Sequence, residues 1–566
     1  KAVGITVFVP ILQHLVEELA EIRLAKENWN ITKPELFGLH FWDTYGLSSQ
    51  KILFIAALER SGLLNNIIAS DTESYYFGYN LLEDFVCAKQ IFKRYHDKSA
   101  LLSYIQDDLL KIEQGQIKNY FNIDIFIVIC SLYADYYHEE CFTTIFTLVT
   151  DESDQNDISD RYIKSFLWRK ASAINSSDFI TYVNEHGAPR SSVLRVLIEN
   201  STKENHPLNA FFLHSILKNK PIAQRDYLWT TYINNLANGE ERLFQLVTYF
   251  DKGNLLNGLS KPNTELLLTL FAWLLTSSNR ILRDKASKAS IELLKRNFCL
   301  CKPLLQHFEE VNDPYVTQRL FGVVFGATVK RCEPAMDTYR ELTEYVYNFV
   351  FNQEIVYPDI LLRDYARLIL QRWLYEAPAD CDFIDATKIK PPYQSPEIPC
   401  VERQEYYNKE NVHSGFNLID FSMRINHSEC PGMYGDFGRY TFQSALEKFE
   451  AVDVMNLYHY AMQYIRDTLG YSDQLFGDYD RFRFQRNYSR HENKKTERIG
   501  KKYQWIAFYN ILARISDTHL LKDWDVDPYP YEGAWEPYVR DFDPTLNINF
   551  LKPDFLPAIQ YPQLTE

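Results

Sequence analysis

A repeated five-residue sequence constrains the fold of this chain more than any other feature. Leu-Arg-Asp-Lys-Ala at positions 282–286 recurs as Leu-Arg-Asp-Tyr-Ala at positions 362–366. Between the two copies, Val316 and Gln318 stand where the copies have Leu and Asp. The three segments are spaced by 34 and 46 residues, which brackets the period of HEAT and armadillo repeats. The spacing predicts that they are equivalent helices in an array of stacked helical repeats.

Charged residues of the repeat are expected to hold neighbouring repeats together. In such arrays a Pro or Asp opens each helix, and an apolar stripe packs on the next unit. Buried Arg–Asp pairs can then connect one repeat to the next. Chance similarity between amphipathic helices is the alternative explanation. The candidate structural residues are Arg283, Asp284, Arg319, Arg363 and Asp364.

The pattern of apolar residues divides the chain into four parts, and the predicted fold is mainly α. Residues 1–100 place two short strand patterns between helices. This order predicts a small winged-helix-like α+β domain, although other small α+β units share it. Helical periods dominate residues 101–375, the predicted α-solenoid of HEAT/TPR-like repeats. Residues 376–435 are an irregular, Pro-rich crossing segment, and residues 436–566 are a C-terminal helical module with an aromatic and acidic tail.

Composition favours packed helices in a soluble, cytoplasmic protein. Of the 566 residues, 46% are hydrophobic and 15% are aromatic, whereas Gly numbers only 20. The net charge of −15 argues against a surface for nucleic acids or anionic membranes. The longest apolar runs are too short to cross a bilayer, so no membrane association is expected. The nine cysteines lack the spacing of a zinc site and are expected to be reduced thiols.

The Gly-Lys pair at positions 500 and 501 raises the question of a nucleotide-binding site. A P-loop requires G-x-x-x-x-G-K-[ST] between a strand and a helix, so that backbone N–H groups surround the phosphates. Here Lys502 stands where Ser or Thr is required, and no strand pattern precedes it. The residues that follow are apolar nearly all round, which predicts a buried helix. Because G-x-S-x-G, H-E-x-x-H and Rossmann-type loops are also missing from the sequence, we assign no catalytic, metal-binding or cofactor-binding residue.

Several blocks of the sequence together resemble one protein family. Residues 75–92, YYFGYNLLEDFVCAKQIF, look like the end of the winged-helix domain in STAND-type NTPases. Further blocks look like the C-terminal sensor half of the bacterial antiphage STAND proteins of the Avs (AVAST) family, namely residues 311–327, 358–370, 434–446, 497–517 and 538–547. The resemblance spans nearly the whole chain, and each block is a packing signature and not a catalytic motif.

The resemblance implies a sensor that recognises a phage structural protein. In that family the sensor binds the terminase large subunit or the portal protein. Binding drives oligomerisation, expected here as a tetramer, and switches on an N-terminal effector. ATP and Mg²⁺ would belong to the nucleotide-binding part, whose Walker motifs this chain lacks. The chain begins with Lys1 and is expected to be a piece of a longer ATPase, without a catalytic site and without direct nucleic-acid binding of its own.

The aromatic tail supplies the candidate partner contacts. Tyr and Trp carry much of the binding energy at protein interfaces, and Tyr531, Trp535 and Tyr538 lie in this tail. The alternative is that these side chains pack on the solenoid. Two other functions also stay open. One is a stand-alone HEAT-type scaffold that binds a host protein, and the other is an enzyme whose active site lies in the irregular segments 376–435 and 523–566.

Overall fold

Helices account for most of the structure. The computed structural model describes residues 5–26, 30–69, 72–236, 241–253, 259–401, 418–430, 432–488, 496–523, 525–533 and 542–545. Within these ranges the sheets are a small three-stranded one and a two-stranded hairpin. The prediction of a mainly helical fold is therefore confirmed. The chain packs into two compact units: unit 1 contains residues 1–200 and 205–208, and unit 2 contains residues 201–204 and 209–566.

This division differs from the four-part division that the sequence predicts. The change from unit 1 to unit 2 lies near residue 200, within the predicted solenoid of residues 101–375. Helices on the two sides of that point therefore belong to different units. The predicted boundaries at residues 100, 375 and 435 stay predictions.

Unit 1 begins with helices around a small sheet and continues with helices and one short hairpin. Its α-helices are α1 (Ile5–Leu24), α2 (Lys33–Phe37), α3 (Phe41–Thr44), α4 (Lys51–Arg60), α5 (Asn80–Arg94), α6 (Lys98–Tyr104), α7 (Ile123–Tyr137), α8 (Phe142–Phe146), α9 (Glu152–Ser165), α10 (Ser176–His186) and α11 (Arg190–Asn200). Its strands are β1 (Ile31–Thr32), β2 (Leu64–Ala69), β3 (Thr72–Phe77), β4 (Ile112–Glu113) and β5 (Gln116–Ile117). A π-helical turn (Ile105–Leu109) and two 3₁₀ turns (Tyr120–Asn122 and Ala171–Ala173) complete it.

The three-stranded sheet of unit 1 has the order β1-β3-β2, and both pairings are antiparallel. Ile31 lies opposite Tyr75, and Leu64 lies opposite Phe77. Side chains of α1 to α4 and of the sheet form one core around the fully buried Trp42. The structure therefore shows a small antiparallel sheet among helices in this part of the chain, and the winged-helix assignment stays a prediction.

Unit 2 is built from helices and turns. Its α-helices are α12 (Ala210–Lys218), α13 (Ile222–Arg225), α14 (Thr231–Asn235), α15 (Arg242–Asp251), α16 (Lys261–Leu274), α17 (Arg280–Leu294), α18 (Cys301–His307), α19 (Pro314–Lys330), α20 (Met336–Val346), α21 (Ile360–Glu376), α22 (Leu418–Met423), α23 (Ser444–Leu446), α24 (Val454–Gln463), α25 (Asp473–Tyr488) and α26 (Ile499–Thr518). Phe298–Leu300 is a 3₁₀ turn, and the π-helical turns are Asp226–Thr230, Tyr347–Phe351, Gly438–Gln443 and Tyr464–Thr468.

Three helices of unit 2 carry the repeated sequence and lie side by side. α17 packs against α19, and α19 packs against α21; each also packs against the helix before it, α16, α18 or α20. Asn279 and Asp359 cap α17 and α21, because each side chain accepts a hydrogen bond from the N–H of the third helical residue. Arg283 and Arg363 are thus both the fourth residue of their helices and occupy equivalent positions. The HEAT/TPR-like solenoid itself stays a prediction.

The helix α26 is buried on nearly every side. It packs against α19 and α21, and also against α22, α24 and α25. Gly500 and Lys501 lie in its first turn, and the residues described just before it form only an isolated bridge at Thr496. The prediction that this segment is a buried helix is confirmed.

Candidate functional site

Four charged side chains meet inside unit 2 without exposure to solvent. Lys502 Nζ lies 2.8 Å from Asp226 Oδ1 and 2.7 Å from Asp313 Oδ2. Arg225 Nη2 lies 3.4 Å from the same oxygen of Asp313. The side chains of all four residues are 0% exposed. We call these four residues the charge cluster.

The members of the charge cluster come from the starts and junctions of helices. Lys502 lies in the first turn of α26. Asp313 is the residue before α19, and its side chain does not cap that helix. Asp226 begins the π-helical turn that connects α13 to α14. The charge cluster therefore joins α26 to two helical junctions that are far apart in the sequence.

Further hydrogen bonds surround the charge cluster. Thr230 Oγ1 donates to Asp226 Oδ1 at 2.6 Å, and Arg225 Nη1 donates to Asn312 Oδ1 at 3.0 Å. Burial raises the pKa of Asp226, and the Lys502 ammonium acts against this rise. Two cations and two carboxylates give the cluster no net charge. Because none of its side chains is exposed, a substrate has no access to the charge cluster, and we expect it to stabilise the packing of α26.

The carboxylate of Asp480 explains the glycine at position 500. Asp480, from α25, accepts hydrogen bonds from the backbone N–H groups of Ile499 at 2.6 Å and Gly500 at 2.9 Å. A Cβ at position 500 would lie 3.0 Å from Asp480 Oδ2 and 3.3 Å from the ring of Tyr471. Glycine lets this carboxylate approach the positive end of the helix. The residues that resemble a phosphate cradle thus bind carboxylates of the chain itself.

The predicted repeat residues on α17 and α19 contact each other. Arg319 Nη1 on α19 lies 3.4 Å from Asp284 Oδ1 on α17, an Arg–Asp contact between successive repeat helices. The guanidinium of Arg283 lies 4.3 Å from the ring centre of Tyr315, also on α19. Both arginines thus connect the first repeat helix to the second, one through a carboxylate and one through an aromatic ring.

The corresponding residues of α21, Arg363 and Asp364, contact C-terminal parts of the chain instead. Arg363 Nη1 lies 2.8 Å from Asp517 Oδ2 and donates to the backbone O of Ala513 at 3.1 Å. Both acceptors belong to α26. Asp364 lies 3.3 Å from Arg367 Nη2 within α21. Equivalent sequence positions therefore have different partners, and Arg363 is a second brace for α26.

Of the three candidate partner contacts in the tail, the structure describes Tyr531. Tyr531 is 5% exposed, and its hydroxyl donates to Asp364 Oδ1 at 3.2 Å. It therefore packs on α21, the alternative that the sequence left open, and we do not retain it as a partner contact. Trp535 and Tyr538 lie outside the described residues.

A pair of exposed tyrosines forms a surface that the sequence analysis did not single out. The rings of Tyr434 and Tyr440 meet edge to face with centroids 5.7 Å apart, and their hydroxyls lie 3.1 Å apart. Tyr440 is 62% exposed and the neighbouring Met433 is 73% exposed. We call Met433, Tyr434 and Tyr440 the tyrosine patch. The available signal was the two glycines between the tyrosines, which are uncommon in a chain so poor in glycine.

Two glycines fix the backbone beneath the tyrosine patch. A Cβ at Gly435 would lie 2.2 Å from the backbone O of Phe421, and a Cβ at Gly438 would lie 2.3 Å from the backbone O of Met423. No side chain tolerates such distances, so only glycine lets this segment approach α22 so closely. The N–H of Gly435 also donates to the backbone O of Arg424 at 2.9 Å. The tyrosine patch is therefore presented from a backbone held against a helix.

Within the described ranges, no group of three or more His, Cys, Asp or Glu side chains is placed to hold a metal ion. None of the described helices has the length and apolar character needed to span a membrane. No protein-family model, curated protein or solved structure matches the chain.

Proposed function

We propose that this chain is the sensor and regulatory half of an antiphage STAND NTPase of the Avs family. The sequence resemblance supplies this identity and the partner, a phage terminase large subunit or portal protein. ATP and Mg²⁺ would be bound by the nucleotide-binding part of the full, cytoplasmic protein. Partner binding would drive self-association, as a tetramer, and activate the effector.

The element order of unit 1 supports the winged-helix assignment. One helix, α1, precedes β1; three helices, α2 to α4, follow it; and the β2–β3 hairpin comes next. β3 lies in the centre of the sheet and pairs with both other strands. In the full protein this small domain would lie next to the nucleotide-binding part.

The helix pairs of unit 2 support a repeat array as the recognition scaffold. α16 with α17, α18 with α19, and α20 with α21 are successive packed pairs. In repeat proteins such pairs bury a continuous core and present an extended face to a partner. The charge cluster and the Arg363–Asp517 pair attach α26 to these helices, so the C-terminal module and the array form one body.

The tyrosine patch is the observation that carries the binding function. Tyr and Met are enriched in the buried centres of protein interfaces. A patch with a fixed backbone loses less conformational freedom on binding than a flexible loop does. A folded partner that covers the patch and the neighbouring helices would bury more than ~2,000 Å², as larger signalling assemblies do. We therefore place the partner contact at Met433, Tyr434 and Tyr440.

Co-purification with phage proteins tests the proposal. The terminase large subunit and the portal protein of several phages are each tested for retention by the chain, and the affinity of the retained protein is measured. The double variant Tyr434→Ala/Tyr440→Ala should weaken binding about 30-fold, which corresponds to ~2 kcal/mol for loss of a central aromatic contact. The matched control is Tyr136→Ala, which removes a tyrosine that is 74% exposed in unit 1 and should leave the affinity unchanged.

Two results would contradict the proposal at different levels. Retention of a host protein, and of neither phage protein, would replace the sensor function with a scaffold function. Retention of a phage protein with equal affinity by the wild type and the double variant would keep the sensor function and reject the tyrosine patch as its contact.

A further inference from the structure

Two described stretches of the C-terminal region, residues 529–533 and 542–545, contact α19 and α21. We call these two stretches together the strap. Phe542 of the strap is 8% exposed, and the guanidinium of Arg319 lies 4.2 Å from the centre of its ring. This is a cation–π contact between α19 and the strap.

Two glycines of α19 lie directly beneath residues 542–545 of the strap. Gly322 and Gly326 are four residues apart and therefore lie on the same side of the helix. A Cβ at position 326 would lie 2.7 Å from the backbone O of Pro544 and 2.7 Å from Ile291 Cδ1 of α17. A Cβ at position 322 would lie 3.0 Å from Tyr365 Cε2 and 3.4 Å from Phe542 Cε1. Bare helix backbone thus makes a groove that an aromatic ring and a proline fill.

The other end of the strap is held by α21. Tyr531 donates its hydroxyl to Asp364 Oδ1 at 3.2 Å, and Arg367 Nη1 donates to the backbone O of Glu532 at 3.0 Å. Gly533 has φ of +126°, and a Cβ there would lie 1.7 Å from Arg367 Nη1. The bend at Gly533 therefore requires glycine.

Side chains provide most of this attachment. Among the described residues, the backbone-to-backbone hydrogen bonds of the strap are the two that Tyr529 exchanges with Leu521, at 2.8 and 3.0 Å. The other contacts are the ring of Phe542 against Arg319, the hydroxyl of Tyr531 on Asp364, and Pro544 against Gly326. Peptide ligands are held in grooves in this way, by a few anchors at fixed spacing. The sequence of residues 529–545 carries four carboxylates and one arginine, and the cations of Arg319 and Arg367 line the groove.

We propose that this face of α19 and α21, with α17 at its edge, is a peptide-binding groove that the strap occupies as an intramolecular ligand. A partner segment with the same chemistry, which is acidic and combines an aromatic residue with a proline, displaces the strap and occupies the groove. The chain thereby masks a binding surface until such a segment arrives. This proposal goes beyond the sensor function and does not depend on it, because its test uses no phage protein.

Competition between the strap and a free peptide tests the proposal on the full chain. The probe is a fluorescent peptide with the sequence of residues 529–545, and its binding is followed by anisotropy. In the wild type the tethered strap competes at an effective concentration on the order of 1 mM. The variant Tyr531→Ala/Phe542→Ala loosens the strap and leaves the groove intact. It should bind the peptide at least about tenfold more tightly than the wild type does.

Changes on the peptide side keep this test independent of protein folding. A peptide with Ala at the positions of Phe542 and Pro544 should bind the loosened chain at least about tenfold more weakly than the native peptide. Adding Gly326→Val to the loosened chain should have the same effect, whereas Gly477→Ala, whose Cβ would lie 3.6 Å from Asp473 Cβ, should have none. Equal binding of the peptide by the wild type and the loosened chain would overturn the proposal, and so would equal binding of the native and substituted peptides.

Discussion

Two buried sites of unit 2 surround their titratable groups in opposite ways. In the charge cluster, carboxylate oxygens of Asp226 and Asp313 lie within 2.8 Å of Lys502 Nζ. His214 and His307 instead stack on each other, with ring centroids 3.7 Å apart. Burial lowers the pKa of His214 to about 3 and also lowers the pKa of His307. Burial disfavours a charged group, and an opposite charge at hydrogen-bond distance acts against that penalty in the charge cluster but not at the histidine pair.

The surroundings of the histidine pair explain its neutral state. The rings of Trp273 and Phe308 lie against His214, with centroids 5.5 and 4.9 Å from the centroid of the imidazole. The nearby charge is the ammonium of Lys218, which lowers both pKa values further and itself lies 3.6 Å from Glu310. Among the described contacts, neither imidazole has a carboxylate partner. The environment of the histidine pair thus disfavours a proton, whereas Lys502 lies between two carboxylates.

Breaking the charge cluster should produce the largest effect. Lys502→Met keeps most of the side-chain volume and leaves two buried carboxylates with only Arg225 to oppose them. Loss of one partner from a buried ion pair typically costs about 3–5 kcal/mol, so the free energy of opening of α26 should fall by that amount. Hydrogen–deuterium exchange of the amides in α26 measures this free energy directly.

A second substitution separates charge from packing at this site. Lys502→Met/Asp226→Asn removes one charge of each sign and restores a neutral cluster. It should recover at least about 1 kcal/mol of the stability lost in Lys502→Met. A loss below about 1 kcal/mol in the single variant would show that the charges do not brace α26.

The histidine pair should make unit 2 sensitive to acid. Because the pKa of His214 in the folded chain lies below its ordinary value of 6.5, the unfolded chain binds more protons between pH 6.5 and about 3. Stability is therefore fully present above pH 6.5 and is lost as the pH falls through this window. The His214 contribution between pH 6.5 and 5 should be a loss of about 2 kcal/mol.

Urea denaturation at a series of pH values measures this dependence. His214→Leu removes the titrating group and should flatten the stability profile between pH 6.5 and 5. The matched control is His427→Leu, because His427 is exposed in the same unit and should keep the wild-type slope. An unchanged slope in His214→Leu would show that the acid sensitivity has another source.

Local patterns in the sequence predicted the elements of the fold but not the partners of their charges. The repeated Leu-Arg-Asp-x-Ala sequence was enough to predict that Arg283 and Arg363 occupy equivalent positions. The partner of Arg363 is Asp517, which lies 154 residues further along the chain. No pattern within one helix contains that pairing. Lys502 was likewise placed on a buried helix without any indication of which carboxylates would neutralise it.

Exposure of aromatic residues was the property that the sequence determined least. Tyr531 and Tyr440 both lie in irregular or short helical segments rich in aromatic residues. The structure buries Tyr531 against Asp364 and leaves Tyr440 62% exposed. Composition cannot separate these outcomes, because each depends on which helix the segment approaches.

The smallest predicted effect concerns Lys501, the residue next to Lys502. Its Nζ lies 2.7 Å from Glu497 Oε1, with side chains that are 34% and 21% exposed. Water screens this pair and solvates either partner when the other is removed, so Lys501→Met should cost no more than about 0.5 kcal/mol. Hydrogen–deuterium exchange measures the opening free energy of α26 in Lys501→Met and in Lys502→Met. The two variants carry the same substitution, with the same change in charge, at neighbouring positions of the helix. Equal losses in the two variants would mean that a lysine near the start of α26 acts through the helix itself, and burial would no longer explain the strength of the charge cluster.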